Sequence, residues 1–152
     1  MEDAKQEKIN SIRIKFNEDN ILPELNSETL KALGRKSKPV LLKKSVIDRN
    51  KNKHPEIGME EYDHLLGQAL YNDPSHFPGH KDSYVNLVTR IDDERNSLVL
   101  LEMSERKNSF EIVHMMKIND NNLRRMKKRS QGRRTVTSSS QEPQSGSPGS
   151  LD

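Results

Sequence analysis

Apolar and polar residues alternate with a period of two through three successive stretches, "SYVNLVTRI", "SLVLLEM" and "SFEIVHMMKI", between Ser83 and Ile118. That period marks a strand with one buried face. The connections "DDERN" and "SERKN" are of hairpin length, so the pattern predicts an antiparallel meander. Strict alternation puts Val85, Leu87, Thr89, Ile91, Val99, Leu101 and Met103 on one face, joined by Phe110, Ile112, His114, Met116 and Ile118. Tyr84, Asn86, Val88, Arg90, Leu98, Leu100, Glu102, Glu111, Val113, Met115 and Lys117 then project from the other.

Upstream the period changes. "NSETLKALG", Asn26 to Gly34, has a capping residue at its start, Leu30 and Leu33 on one side and a glycine at its end, and reads as a short helix. "KPVLLKKSVI" reads as a strand with Val40, Leu42 and Val46 on one side. After it, Pro55 suits the first turn of a helix whose stripe is Ile57, Met59, Tyr62, Leu65, Leu66 and Leu70. Ile12, Ile14 and Phe16 fit an edge strand or a frayed helix. "DNNLRRMKKR" fits a capped basic helix with Leu123 and Met126 turned inward. The expected architecture is α+β: short N-terminal helices packed on a roughly four-stranded antiparallel sheet, then a basic C-terminal helix and a tail. A polar segment, residues 1–20, precedes the domain, 21–129, and a disordered tail, 130–152, follows.

Composition supports a single small domain. Hydrophobic types make up 30% of the 152 residues and charged types 32%, so one core is the ceiling. The segment from Ser130 is rich in Ser, Gly and Pro and has little to bury. The formal charge is +3, but "LRRMKKRSQGRR" holds seven cationic residues and no acidic one, a local bias that suits phosphate backbones. Cysteine is absent, which removes disulfides, thiolate nucleophiles and cysteine-ligated zinc. No apolar run is long enough for a signal sequence or a bilayer span, so a cytoplasmic protein with no membrane partner is expected.

The candidate chemistry centres on histidine. His54, in "KNKHPEI", is either a polar residue ahead of a helix, bonded to Glu56 or a backbone amide, or a proton-transfer group with an unperturbed pKa near 6.5. Lys51 and Lys53 beside it, with Lys43, would attract phosphate. His114 falls on the apolar face by alternation, where a satisfied core histidine is the plainer reading. Arg90, Glu102, Glu111 and Lys117 suit cross-strand ion pairs, and equally suit a phosphodiesterase, which needs a cation, a base and an acid. His76 and His80 are four apart, but "HFPGH" cannot be a regular helix, so no metal is expected. Neither a glycine-rich phosphate loop nor a serine elbow is present.

The order of these motifs, from "ILPELNSETLKALGRKSKPVLLKKSVIDRNKNKHPEI" to "YVNLVTRIDDERNSLVLLEMSERKNSFEIVHMMKINDNNLRRMKK", resembles the nuclease modules of the barnase, EndoU, colicin and RelE-like group. Those modules occur at the ends of MuF-type phage head proteins and of large polyvalent proteins. The resemblance implies helices on one face of an antiparallel sheet, RNA on the other, and metal-independent endoribonuclease activity without a cofactor, as a toxin or effector with a cognate immunity or inhibitor protein. It matches His54 to a histidine at the start of the helix and His114 to a second recurrent position. The expected site is therefore His54 as acid or base, Arg90 on the phosphorane and Glu102 or His114 as partner. Lys43, Lys51, Lys53, Lys117, Arg124, Arg125, Lys127, Lys128 and Arg129 would hold the RNA backbone. An inactive binding module of the same fold, serving phage head assembly, is the alternative.

Overall fold

The computed structural model describes residues 2–138. Its elements run α1 (Glu2–Ser11), β1 (Asn20–Leu22), α2 (Ser27–Leu33), β2 (Val40–Leu42), α3 (Lys44–Lys53), a 3₁₀ turn (Met59–Glu61), α4 (Tyr62–Tyr71), β3 (Ser75–Pro78), β4 (Tyr84–Arg90), β5 (Arg95–Glu102), β6 (Phe110–Asn119) and α5 (Asp120–Ser138). The fold is α+β, as expected. The sheet is six-stranded in the order β1-β2-β6-β5-β4-β3 and mixed, because β2 runs parallel to β6 through Val40↔Phe110 and Leu41↔Glu111. The expected four antiparallel strands thus undercount it. β1 and β2 are three residues each, too short to show a period, and β3 lies in the Pro-containing stretch read as loop.

The meander forms as expected, and α2 ends at Gly34, whose φ of 68° is the left-handed conformation that glycine adopts without penalty. Three other expectations need correction. Ile12 and Phe16 pack against the main core around the end of α1 and do not form a strand. The stretch read as one strand from Pro39 turns after Leu42 into α3, because Asp19 accepts a hydrogen bond from the Lys44 amide at 2.8 Å and so caps the helix. Val46 is buried with Ile47 and Asn50 on one helical face. Finally, Pro55 does not open a helix. It follows the end of α3, where His54, at φ/ψ of −130°/64°, has left the helical region that a following proline disfavours, and α4 starts at Tyr62.

α3 and α4 cover one face of the sheet, and α1 packs on α4. Their side chains, among them Val46, Ile47, Leu65, Leu66 and Leu70, bury Val85, Leu87, Val99, Leu101, Phe110, Ile112 and Met115 in the main core. On the other, outer face a smaller cluster of Phe77, Val88, Leu98 and Ile118 is roofed by Leu123 and Met126 of α5. Helices therefore lie on both faces, and α5 covers only part of the outer one. The helix extends to Ser138, into the stretch read as a disordered tail; residues 139–152 lie outside the described residues.

The register of β6 shifts between Leu100 and Leu101: Leu100 pairs with His114, whereas Leu101 pairs with Ile112. Val113 is the extra residue of a β-bulge. One inserted residue exchanges the faces of everything after it. Phe110 and Ile112 lie in the main core, but so does Met115, while Met116 and Ile118 join the outer cluster. Strict alternation gave the opposite assignment from His114 to Ile118.

Candidate functional site

The bulge moves His114 out of the main core and onto the outer face, in a cross-strand row with Leu100 and Asn86. The expectation of a core histidine sharing a face with Phe110 and Ile112 is overturned by that one residue. The same switch carries Lys117 the other way: its Nζ lies 2.7 Å from Glu61 Oε1 under the helical layer, and its side chain is 15% exposed. Glu61's carboxyl is lowered from the usual range chiefly by that hydrogen bond. Lys117 is thus removed from the face on which RNA was expected.

The end of α3 brings His54 to His114. Their ring centres are 6.4 Å apart, inclined at 60°. His54 closes α3, its amide donating to Asn50 O at 2.8 Å, so it stands at the end of a helix and not at the start of one. Its Nδ1 is 3.3 Å from Glu56 Oε2, the contact anticipated for a purely structural role, and its side chain is 19% exposed.

β5 pairs one edge of β6 at His114, but no strand among the described residues covers the opposite edge there, since the pairing to β2 stops at Glu111. α3 takes over that edge. Arg49 Nη2 donates to Val113 O at 2.9 Å, and Asn50 Oδ1 accepts from the Met115 amide at 2.8 Å. These bonds satisfy the carbonyl before His114 and the amide after it. A buried amide left bare would cost about 1–3 kcal/mol. Neither Arg49 nor Asn50 is legible as functional in the sequence, because the strand pattern of "KPVLLKKSVI" hides the helix; the spacing Val46, Ile47, Asn50 is the helical signal that shows it.

Burial, then the positive fields of His54, Lys53, His80 and Arg49, lower the His114 pKa to about 4. At neutral pH its imidazole is uncharged among cations. His80 reaches the site because Gly79 lets the chain lie flat on the outer face: a Cβ there would stand 2.7 Å from Tyr84 Cβ and 3.1 Å from Leu100 Cδ1. The His80 ring meets Tyr84 edge-on at 5.1 Å, and Lys81 Nζ is 5.2 Å from the Tyr84 ring centre. Tyr84 carries no signal in sequence beyond its residue type, and His80 stands out there only for its spacing from His76.

The next row holds Tyr84, Glu102 and Glu111. Two carboxylates opposite one another repel. Here Lys107 lies 3.2 Å from Glu102 and 3.5 Å from Glu111, and Lys43 lies 3.5 Å from Glu111. Glu102 is thus near the histidines but already paired. Arg90 is not near them. It lies four residues along β4 from Asn86, about 13 Å away at strand rise, and both its terminal nitrogens bond Asp120, at 2.8 and 3.1 Å.

The remaining cations divide similarly. Lys53 belongs to the histidine site, whereas Lys51 lies 5.7 Å from the Phe16 ring centre, on the N-terminal segment. Arg124 and Lys127 line a cleft with Arg90, Asp120, Asn96 and Ser75 at the start of α5. Arg125 donates to Asn122 Oδ1 at 2.8 Å, and Lys128 and Arg129 are exposed. Among the described residues, no group of three or more His, Asp or Glu is arranged to hold a metal ion, and no helix is long and apolar enough to cross a membrane.

The arrangement offers two imidazoles 6.4 Å apart, with an arginine and a lysine beside them and carboxylates neutralised in the next row. An anion fits that field; a cation does not. No curated protein and no solved structure matches the chain. The family described as "Large polyvalent protein-associated domain 13" matches residues 7–130, which takes in every strand of the sheet, both histidines and the start of α5. The chain belongs to that family, a polyvalent-protein-associated domain of phages and mobile elements.

Proposed function

We propose that the gap between His54 and His114 binds an RNA phosphodiester and promotes attack of the 2′-hydroxyl on phosphorus without a metal, as a toxin or effector module would. The observation that carries this reading is the approach of the two rings to 6.4 Å on a cation-lined, polar part of the outer face. A single phosphate oxygen accepting from both rings needs two bonds of about 2.8 Å, which suits that separation.

His114, neutral at pH 7, takes the 2′-hydroxyl proton. The 2′-oxygen bonds to phosphorus as the bond to the 5′-oxygen breaks, and His54 in its protonated form gives that oxygen a proton. Arg49 and Lys53 face the charge that grows on the phosphorane. The products are a 2′,3′-cyclic phosphate and a 5′-hydroxyl. Those two cations help keep His114 unprotonated in the free protein, and a bound phosphate offsets them, so basicity rises as substrate arrives. A cognate immunity protein and a cytoplasmic site of action belong to the same proposal.

Incubating the protein with RNA in EDTA, beside His54→Ala and His114→Asn, tests it. Fragments with cyclic-phosphate ends that both variants fail to produce are the expected result. One observation favours the alternative, a module that binds without cutting: Arg90, the arginine expected at the phosphorane, is held by Asp120 elsewhere. In that case RNA is retained, with an affinity that falls with salt, and no fragments accumulate.

A further inference from the structure

We infer that Asn50 is the positioning residue of the histidine pair, fixing His54 against His114 by tying the last turn of α3 to the β-bulge of β6. The inference rests on the phosphodiester reading for its catalytic consequence, though not for its geometry. Asn50 is 4% exposed, and its polar groups point in three directions. Oδ1 accepts from the amide of Met115, next to His114, at 2.8 Å; Nδ2 is 3.2 Å from Tyr62 Oη at the start of α4; and its carbonyl accepts the His54 amide at 2.8 Å. One residue thus touches the backbone beside each histidine.

The bond to Met115 also replaces a strand. β6 loses its neighbour β2 after Glu111, so β5 holds one edge at His114 while the other edge meets only side chains of α3. Arg49 and Asn50, adjacent in sequence, bracket the His114 peptide from either side. Val46 and Ile47 bury one helical face but fix no polar register, so apolar packing alone would let α3 slide along the edge. A displacement of about 1 Å in such a pair lowers rate on the order of a hundredfold.

The experiment uses the full chain with Asn50→Leu, which keeps bulk and removes the acceptor, and Tyr62→Phe, which removes only the hydroxyl under Asn50 Nδ2. Arg49→Ala is a third variant, at an exposed residue, in case Asn50→Leu does not fold. His114 faces Arg49, Lys53 and His54 from α3, His80 from the segment after β3 and Glu102 and Glu111 from the sheet, so its titration reports on their placement. By nuclear magnetic resonance, the ring-to-ring contact of His54 and His114 is expected to weaken in order of the bonds lost. The His114 midpoint is expected to rise by about one pH unit in the folded Asn50→Leu or Arg49→Ala protein. For RNA cleavage, kcat is expected to fall on the order of a hundredfold while KM holds.

Folded variants with the wild-type contact and midpoint overturn the inference. So does a separated pair with unchanged kcat. If the wild-type protein cuts no RNA, the phosphodiester reading falls, and the resonance measurements still decide whether Asn50 sets the spacing.

Discussion

Val88 and His114 lie on the same face of the same sheet, yet Val88 sits beneath α5 with Phe77, Leu98 and Ile118, whereas His114 sits among Arg49, Lys53, His54 and His80. The α5 half of the outer face is stabilised by burial, and Arg90 there is matched by Asp120. The histidine half gains less from burial and holds a ring that burial itself keeps from ionising. A sheet needs a polar surface where water covers it, and serine or threonine would suffice. Two imidazoles ringed by cations are a costlier solution, which is why that half is read as the working surface.

Truncation should separate the halves most strongly. Leu98 is fully buried beneath α5, so Leu98→Ala should lower unfolding free energy by about 2–5 kcal/mol. His114→Leu should leave it unchanged or raise it, because a half-buried imidazole among cations is replaced by apolar surface. Urea unfolding at pH 7 measures both. A larger loss in His114→Leu than in Leu98→Ala would make His114 a structural anchor and break the comparison.

Acid should act on the same contrast. In the unfolded chain His114 titrates near 6.5, and in the folded chain near 4. Between those values the unfolded chain binds more protons, so stability is full above about pH 6.5 and is lost as pH falls through 4. The shift corresponds to about 2 kcal/mol after allowance for the ring's partial exposure. His114→Gln should flatten the profile over that window. A wild-type slope that survives in the variant would trace the acid sensitivity to another group.

Much of the architecture was legible in the chain. The three alternating runs became β4, β5 and β6, and a helix ends at Gly34 as its chemistry suggests, although Asn26 at its start caps no amide with its side chain and donates instead to Tyr71 O. What failed did so at places where the period was short or interrupted. α3 was hidden because Val40, Leu42 and Val46 are all even-numbered, although Lys44 breaks the alternation between them. The bulge at Val113 was invisible because both Val113 and Met115 are apolar, so neither register looks wrong until β5 is laid beside β6. That single ambiguity decided the faces of His114 and Lys117. His54 was singled out for its neighbours in sequence, but its partnership with His114 depends on Asn50 and Arg49 reaching a strand edge more than sixty residues away, which no local pattern encodes.

The smallest effect is expected at Arg90. Its guanidinium and the carboxylate of Asp120 are both substantially exposed, at 51% and 39%, and such pairs add little to stability. Arg90 chiefly, with Asn96, holds the Asp120 carboxyl down to about 2. Acid should therefore break this contact between its ordinary value near 3.8 and 2, after His114 has already taken up its proton, so resonances of the α5 junction should move last in a pH titration. Arg90→Gln should leave the urea midpoint and RNA cleavage unchanged while loosening the first turn of α5, measured by amide exchange at Asn121 and Asn122. If cleavage falls on the order of a hundredfold instead, the reacting phosphate lies at the α5 end. The histidine half would then be the part of the outer face that merely meets water.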